Sequence, residues 1–367
     1  MHISAAVTES KSAPFRVEDV ELGELRDDEI LVKVAAAGVC HTDLIVRDQW
    51  YPVPLPAVLG HEGAGVVEKV GSAVRECAPG DSVGMSFHSC GSCTSCWRGR
   101  PSYCLDFFAH NFGASRPADG SSALSRSGKP LHAHFFGQSS FATYAVANER
   151  NVVKIEGNIP LEIAAPFGCG IQTGAGAVLN ALRAPAGSSI AVFGTGAVGL
   201  SAVAAARVAG CSVIIAIDIN QTRLDLAREL GATHAIDARA ADAGSVVIES
   251  TAGGVDLTLE TTGSPAVFRQ AVDCLAPTGT CGLIGAPAFG TEVSLDVNTI
   301  LVGGRTVRGI VEGDSVPQLF LPTLMRLWAD GRFPVDRLMQ FYDFDRIDEA
   351  AADAAAGRVI KPVLRMS

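Results

Sequence analysis

The sequence lacks an excess of positive charge, since its 367 residues carry 29 Lys and Arg against 39 Asp and Glu, a formal net charge of -10. An acidic surface repels phosphate, so nucleic acid is not expected as a partner. The N-terminal residues show no basic stretch followed by an apolar run, so no signal peptide is expected. The most apolar stretch, residues 190–217, is rich in Gly and interrupted by Arg207, which argues against a membrane span. We therefore expect a cytoplasmic protein without a membrane partner.

The chain also lacks internal repeats and low-complexity linkers, and its pattern of apolar residues changes once, near residue 165. Before that point, short Val-rich runs such as EILVKVAAAGVC predict a mostly β region. After it, apolar strands such as SSIAVFG and SVIIAID alternate with helical segments, which predicts a doubly wound parallel sheet in an α/β protein. Residues 105–140 show little regular pattern and are interpreted as a long surface loop. The tail, RVIKPVLRM, has β character again and is expected to rejoin the first region.

A glycine motif follows the first apolar strand of the second region. In IAVFGTGAVG the spacing is G-x-G-x-x-G, between a strand and a helix. The first Gly allows the tight turn, the second lets the backbone approach a pyrophosphate, and the third lets helix and strand pack closely. This context predicts a dinucleotide site, with Gly194, Gly196, Ala197, Val198 and Gly199 as cofactor-binding residues.

Asp218 ends the next strand, in IIAIDIN. A carboxylate at this position accepts hydrogen bonds from the ribose hydroxyls of an adenosine and repels a 2′-phosphate, so NAD is favoured over NADP. Asp218 could instead cap the following helix, a role for which Asn220 competes.

Four of the ten cysteines lie close together in CGSCTSCWRGRPSYC, at Cys90, Cys93, Cys96 and Cys104. In a reducing compartment such a cluster binds metal more often than it forms disulfides. Four thiolates close a tetrahedral zinc shell and leave no position for water, so the site would be structural. An iron–sulfur cluster is the competing interpretation, because C-x2-C-x2-C also begins ferredoxin-type motifs.

Three further potential ligands, Cys40, His61 and Cys169, are scattered through the chain in Gly-flanked turns. A shell of two Cys and one His leaves the fourth zinc position open, as a catalytic zinc requires. Spacing alone cannot show that these residues meet.

Together these motifs resemble those of the zinc-dependent medium-chain alcohol dehydrogenases. The resemblance runs through the chain in the order GVCHTD, GHEGAG, the four-Cys segment, GCGIQTG, GTGAVG, ETTG, IGAP and IKPVL. It implies a GroES-like catalytic domain, residues 1–165 with 311–367, and a Rossmann NAD-binding domain, residues 166–310. It also implies two zinc ions per chain, NAD, and a small alcohol or aldehyde as substrate.

The resemblance assigns roles to individual residues. Cys40, His61 and Cys169 match the catalytic zinc ligands, and Cys90, Cys93, Cys96 and Cys104 the structural ones. Thr42, Glu62 and Asp43 match catalytic positions, as the hydroxyl that takes the substrate proton, a carboxylate near the metal and the partner of the His ligand. His41, Arg223 and Lys361 match cofactor-binding positions.

One position departs from the family pattern. Many members carry a His three residues after the Thr, at the outer end of a proton relay, whereas this chain has Ile45. This feature resembles the aryl-alcohol (benzyl alcohol) dehydrogenases, and predicts a benzylic or allylic substrate. Aromatic residues that could line the substrate pocket are Trp50, Phe87, Phe107, Phe108 and Phe112.

The alternatives are a geraniol-type dehydrogenase, a glutathione-linked formaldehyde dehydrogenase, a zinc-free quinone reductase of the same superfamily and a zinc-binding module for nucleic acid. The family resemblance also implies a homo-oligomer, a dimer or tetramer, paired near the GLIGAP strand.

Overall fold

A computed structural model of the protein describes residues 1–366, which form two compact units. The first unit comprises Met1–Cys169, Val316–Ala329 and the residues from Asp336 onward, and the second comprises Gly170–Ser315 and Asp330–Val335. The predicted domain limits, 1–165 with 311–367 and 166–310, stay a proposal.

The strands and helices are numbered in chain order. The strands are β1 (His2–Thr8), β2 (Arg16–Leu22), β3 (Glu29–Gly38), β4 (Ala57–Val58), β5 (Gly63–Val70), β6 (Ser82–Met85), β7 (Leu124–Arg126), β8 (Lys129–Leu131), β9 (Tyr144–Asn148), β10 (Val152–Lys154), β11 (Ser189–Phe193), β12 (Val213–Asp218), β13 (His234–Asp237), β14 (Val255–Glu260), β15 (Leu275–Leu283), β16 (Thr306–Gly309), β17 (Met339–Asp343) and β18 (Lys361–Arg365). The α-helices are α1 (His41–Arg47), α2 (Thr94–Trp97), α3 (Phe107–Phe112), α4 (Leu161–Ala164), α5 (Gly170–Gly176), α6 (Ala197–Ala209), α7 (Gln221–Leu230), α8 (Ala243–Ser250), α9 (Pro265–Asp273), α10 (Val297–Gly303), α11 (Pro317–Ala329) and α12 (Ile347–Ala355). Over residues 1–366, every helix is too short or too polar to cross a membrane.

Two sheets build the first unit. The smaller has the order β4-β1-β2-β7-β8, and all its neighbours are antiparallel. The larger has the order β10-β6-β5-β3-β18-β17, with β9 also paired to β3. The C-terminal strand β18 pairs with β3, Leu364 opposite Ala37, so the tail rejoins the first unit as its β character predicts.

Strand β3 lies between two apolar cores. Ile30, Val32 and Val34 point into one buried cluster, whereas Leu31 and Ala37 belong to the other. Successive side chains of a strand point to opposite faces, so a strand with apolar residues on both faces is buried on both. The strand ends at Gly38, and Cys40, two residues later, is the N-cap of α1.

The second unit contains a parallel sheet of order β13-β12-β11-β14-β15-β16. The order reverses between β11 and β14, as in a doubly wound fold. The inner strands β11 (SIAVF) and β12 (VIIAID) are mainly apolar, as expected of a parallel sheet that helices cover on both faces. The predicted α/β class, with a mostly β region and a doubly wound parallel sheet, is confirmed.

The interpretation of residues 105–140 as a surface loop is wrong. This segment contains α3, β7 and β8, and Leu131, Phe135 and Phe136 are almost fully buried. The elements are only three to six residues long. Periods of 2 or 3.6 residues cannot be recognised over such short runs.

Candidate active site

Four potential metal ligands of the first unit lie where secondary-structure elements begin or end. Cys40 caps α1, His61 and Glu62 immediately precede β5, and Cys169 follows a short 3-10 turn. The ligand atoms of these four residues all lie within 4.8 Å of one another. His61 and Glu62 have no exposed surface, and Cys169 is also buried. The fold therefore brings together the three residues predicted as catalytic zinc ligands, together with Glu62.

The His61 ring fits a bound zinc ion. Its Nδ1 lies 2.9 Å from Oδ1 of Asp43, whereas its buried Nε2 has no hydrogen-bond partner anywhere in residues 1–366. A buried polar atom without a partner is costly unless it binds something. A carboxylate on one ring nitrogen and a metal on the other is the usual arrangement of a zinc-binding His. The two thiols and the imidazole thus form a donor set that zinc prefers, with one position left for substrate.

Asp43 connects two of these residues. Its fully buried carboxylate accepts hydrogen bonds from the backbone N–H of Cys40 at 2.9 Å and of Gly60 at 3.1 Å, besides contacting His61. The Asp43 carboxylate therefore fixes both the orientation of the His61 imidazole and the backbone at the N-terminus of α1. Its predicted role as partner of the His ligand is consistent with these contacts and remains a prediction.

Glu62 and Lys361 form a buried ion pair. Lys361 Nζ lies 2.8 Å from both carboxylate oxygens, and it also donates to the carbonyl of Val39 at 3.4 Å. The side chains are 0% and 2% exposed. Burial raises the pKa of Glu62 and the Lys361 charge opposes that shift. For Lys361, burial lowers the pKa, but Glu62 and the thiols raise it above its ordinary value, which favours the ammonium form of Lys361 in this pair.

The thiols experience the same electrostatic environment. Hydrogen bonding with Cys169 lowers the pKa of Cys40 well below its ordinary value, against the effect of burial and with help from the Lys361 charge. For His61, burial disfavours protonation, but the Asp43 carboxylate raises the pKa well above its usual value. The site therefore favours a thiolate at Cys40, which is the form that binds metal.

The four clustered cysteines also converge. Their sulfur atoms lie within 4.8 Å of one another, and Cys90 and Cys96 are 4.0 Å apart. Backbone N–H groups of Cys90 and Cys93 donate to the sulfurs of Cys104 and Cys90, each at 3.3 Å. Backbone N–H groups of Leu105 and Cys96 lower the pKa of Cys93 to about 6, whereas burial raises that of Cys104 to about 12. Four convergent sulfurs fit a closed structural zinc site, and Asp106 and His110 each place a ligand atom within 4.8 Å of the Cys104 sulfur.

The glycine motif of the second unit joins β11 to α6. Gly194 has a φ of +92°, and a Cβ on Gly199 would lie 1.8 Å from the carbonyl oxygen of Gly194. Only Gly fits either position. A Cβ on Gly196 would meet nothing within 4 Å, so the turn leaves open space where α6 begins. Ala197 and Val198 form the first turn of α6 and present their N–H groups at its N-terminus.

Asp218 lies at the end of β12 and contacts the glycine motif. One of its oxygens accepts from the backbone N–H and the hydroxyl of Thr195, at 2.6 and 2.7 Å. The other accepts from the N–H groups of Ile219 and Asn220. Asn220, not Asp218, caps α7, where it accepts from the N–H of Arg223. The carboxylate thus stands beside the turn that the dinucleotide motif provides.

Two further predicted positions, His41 and Thr42, and the departing position Ile45 lie along α1. His41 is exposed at the first residue of the helix. The Thr42 hydroxyl lies 3.8 Å from Cys40 Sγ. Ile45 is almost fully buried. The predicted roles of His41 and Thr42 are not tested by these positions.

An aromatic cluster borders the metal-ligand group. The Phe136 ring lies 4.6 Å from the ring of His61, and the Phe135 ring 5.4 Å. The cluster continues through Phe112 to the partly exposed Tyr51. Among the predicted pocket residues, Phe107 and Phe112 contact Phe136. Phe108 contacts Phe107 and Phe112, and Phe87 contacts Phe107. Trp50 is half exposed.

Three residues that the sequence does not mark as functional, Phe135, Phe136 and Gln138, all contact His61 or its backbone. They lie within residues 105–140, the segment whose irregular pattern predicts a loop. The pair of adjacent Phe residues before a Gly is the only local signal that could have indicated a buried turn.

Comparisons with known proteins agree with this geometry. Residues 26–157 match the model of the alcohol dehydrogenase GroES-like domain, and residues 197–329 match that of the zinc-binding dehydrogenases. Geraniol dehydrogenase of Castellaniella defragrans is 47% identical over 361 residues, 98% of this chain and 96% of that protein.

Two solved structures superpose over the whole chain. The crystal structure of benzyl alcohol dehydrogenase from Acinetobacter calcoaceticus has a TM-score of 0.97 and 49% identity, with full coverage of both chains. An alcohol dehydrogenase zinc-binding domain protein from Burkholderia ambifaria has a TM-score of 0.98 and 56% identity, over 100% of this chain and 99% of that one. The chain is an oxidoreductase that belongs to the zinc-dependent medium-chain alcohol dehydrogenase family, with a GroES-like domain and a Rossmann-type domain.

Proposed function

We propose that the protein oxidises a primary benzylic or allylic alcohol to its aldehyde, with hydride transfer to NAD. The observation that carries this proposal is the convergence of Cys40, His61 and Cys169 on one point, with the His61 Nε2 buried and without a hydrogen-bond partner among residues 1–366. A zinc ion bound there supplies Lewis-acid chemistry that lowers the pKa of an alcohol hydroxyl. NAD held at the glycine motif would supply the acceptor for the hydride of the carbinol carbon.

The residues around the ligands control the proton and the ligand geometry. We assign Thr42, beside Cys40, as the hydroxyl that takes the substrate proton. Asp43 keeps the proton of His61 on Nδ1 and so leaves Nε2 free to bind metal. Because Ile45 is apolar and buried, the proton does not leave through that position. A ribose hydroxyl, a water molecule or another polar group completes the path.

The cofactor assignment depends on charge at Asp218. Four hydrogen bonds from protein groups already reach its carboxylate, so a ribose would replace some of them. The negative charge would still repel a 2′-phosphate, which supports NAD over NADP. Gly194, Gly196, Ala197, Val198 and Gly199 supply the pyrophosphate position, and His41, Arg223 and Lys361 are retained as proposed cofactor contacts.

The substrate class is supported by the aromatic cluster next to His61. Flat rings pack well against aromatic side chains, and a conjugated aldehyde is favoured as product. The names of two relatives point the same way, one to geraniol, an allylic alcohol, and the other to benzyl alcohol.

An alcohol panel tests the proposal. Reduction of NAD and of NADP is followed with benzyl, cinnamyl, geranyl and short aliphatic alcohols, and zinc content is measured on the same sample. We expect the highest kcat/KM with benzylic or allylic alcohols and NAD. Equal kcat/KM for ethanol would refute the substrate class, and turnover by zinc-free protein would refute the role of the metal.

The role of Thr42 has its own test. Thr42→Val should reduce kcat by about 100-fold or more, which is typical for loss of a proton-transfer group, and Thr42→Ser should retain most activity. Equal kcat values for the two variants would remove Thr42 from the proton path.

We also propose a homo-oligomer. The edge strand β16 and the neighbouring α10 expose apolar side chains, with Val297, Leu301 and Val302 between 73% and 83% exposed. Large exposed apolar patches mark interaction surfaces. Light scattering after size-exclusion chromatography should give the mass of a dimer or tetramer, and Leu301→Glu should lower it. A monomeric wild-type protein would exclude this assignment.

A further inference from the structure

The buried carboxamide of Gln138 binds three backbone groups in two other segments of the chain. Its Nε2 donates to the carbonyl of His61 at 3.0 Å and to that of Ser86 at 3.1 Å. Its Oε1 accepts from the N–H of Gly63 at 3.0 Å. The residue is only 2% exposed. The side chain therefore holds the two peptide groups that flank Glu62, the first of which contains the carbonyl of His61.

Ser86 extends this connection to a second ligand. Its hydroxyl donates to the carbonyl of Gly168 at 2.7 Å, and Gly168 immediately precedes Cys169. A Cβ on Gly168 would lie 2.1 Å from the carbonyl oxygen of Met85, so the two segments are in close backbone contact there. The path from Gln138 through Ser86 thus reaches the backbone next to Cys169.

The segment that carries Gln138 is held in an unusual conformation. His134, Phe136 and Ser139 have φ values of +65°, +52° and +51°, which non-Gly residues rarely adopt. The Ser139 hydroxyl donates to the carbonyl of Val58 and accepts from the N–H of Phe135. Strained backbone of this kind persists only where surrounding contacts determine it, and it clusters at functional sites.

We propose that Gln138 is a positioning residue of the candidate catalytic zinc site, because its carboxamide fixes the backbone of ligand His61 and, through Ser86, that of ligand Cys169. This inference rests on the proposed zinc site of Cys40, His61 and Cys169. Gln138 does not itself contact the metal or the substrate. Loss of its amide removes the donor that Gln138 supplies to the buried carbonyl of His61 and one of the donors to that of Ser86, which also accepts from Asn151 at 3.4 Å, so that the ligand segments relax.

A pair of buried amides in the first unit permits a controlled test. Asn111 is also fully buried; its side chain donates to the carbonyls of His88 and Phe107, and accepts from the N–H of His88. Like Gln138 it makes three backbone hydrogen bonds. His88, however, lies two residues before Cys90, which is the first cysteine of the four-Cys segment. Gln138→Met and Asn111→Leu each remove a carboxamide with little change in side-chain volume.

The experiment measures zinc release from the wild-type and variant holoenzymes to a chromogenic chelator, with the melting temperature of each. Cys40→Ala removes a ligand of the candidate catalytic site, so the kinetic phase of zinc release that is missing in this variant is assigned to that site. We expect Gln138→Met to accelerate this phase by about tenfold or more, in line with the effect of outer contacts on metal affinity, and to lower kcat for the alcohol more than it changes the KM for NAD. Release from the four-Cys site should stay unchanged. Asn111→Leu should leave the Cys40-dependent phase within about twofold of wild type.

The outcomes separate the two ideas. If Gln138→Met leaves the Cys40-dependent phase unchanged, or accelerates both phases equally, Gln138 is only a core residue and the inference is wrong. If the wild-type protein shows no Cys40-dependent phase, the proposed catalytic zinc site itself fails. If Gln138→Met does not fold, Ser86→Ala decides: faster release in that phase alone supports the connection, and an unchanged rate overturns it.

Discussion

The buried ion pair between Lys361 and Glu62 gives a quantitative prediction for Lys361→Met. The Lys361 ammonium lies 2.8 Å from both carboxylate oxygens, and the two side chains are 2% and 0% exposed. Removal of one partner of such a pair leaves a charge in a medium that solvates it poorly, which costs about 3–5 kcal/mol. The double variant Glu62→Met/Lys361→Met removes both charges and should be more stable than Lys361→Met alone.

The matched control is Lys154→Met. Lys154 Nζ also lies 2.8 Å from a carboxylate oxygen, that of Asp81, but its side chain is 51% exposed. Exposed pairs contribute less than about 1 kcal/mol, so this variant should unfold nearly as the wild type does. Lys361→Met and Lys154→Met thus share the same substitution and the same ion-pair distance, and differ in the burial of the ion pair.

Tryptophan fluorescence in a urea titration measures the effect. All three tryptophans, Trp50, Trp97 and Trp328, lie in the first unit, as do both ion pairs. The zinc-loaded proteins are compared at pH 7. Equal stability of Lys361→Met and Lys154→Met, or a double variant no more stable than Lys361→Met, would refute the reasoning. A raised KM for NAD with unchanged stability would instead support the predicted contact of Lys361 with the cofactor.

Three further predictions concern other sites. Cys93→Ser should lower the melting temperature and bind about one zinc fewer per chain by elemental analysis, because metal binding is coupled to folding of the four-Cys segment; full stability would contradict a structural zinc. Asp218→Asn should lower the ratio of kcat/KM for NAD to that for NADP by about tenfold, since a charged acceptor is lost; an unchanged ratio would remove Asp218 from cofactor selection. Burial, followed by the Arg116 charge, lowers the pKa of His134 to about 4. As the pH falls, the unfolded chain therefore binds a proton before the folded chain does, and the free energy of unfolding decreases below about pH 6.5. Between pH 7 and 5 the free energy of unfolding should decrease by about 2 kcal/mol through His134. In urea titrations, the free energy of unfolding of His134→Gln should decrease correspondingly less over this range. The same pH dependence in both proteins would contradict a buried neutral imidazole.

The sequence was sufficient where the signal is local. The dinucleotide turn needs a strand, three glycines at fixed spacing and a helix, all within residues 189–209. The four-Cys segment is equally local, since its ligands span only Cys90 to Cys104. In both cases chain connectivity alone brings the functional groups together.

Contacts between distant residues could not be derived in the same way. Cys40, His61 and Cys169 converge only because β3, β5 and the turn after α4 are assembled in one unit, and the family resemblance rather than their spacing suggested it. The pair of Glu62 and Lys361 is separated by 299 positions. Gln138 lies in a turn without a regular period, where only the preceding pair of Phe residues and Gly137 indicate burial, and its hydrogen-bond partners have no signature in the sequence.

The proposed catalytic function requires that Cys40, His61 and Cys169 bind one zinc ion. Native mass spectrometry of the wild-type protein and of Cys169→Ala, with NADH formation from benzyl alcohol measured on the same samples, tests it most directly. We expect two zinc ions per wild-type chain, one in Cys169→Ala, and loss of turnover in the variant while NAD still binds. Two zinc ions and near-normal turnover in Cys169→Ala would contradict the assignment.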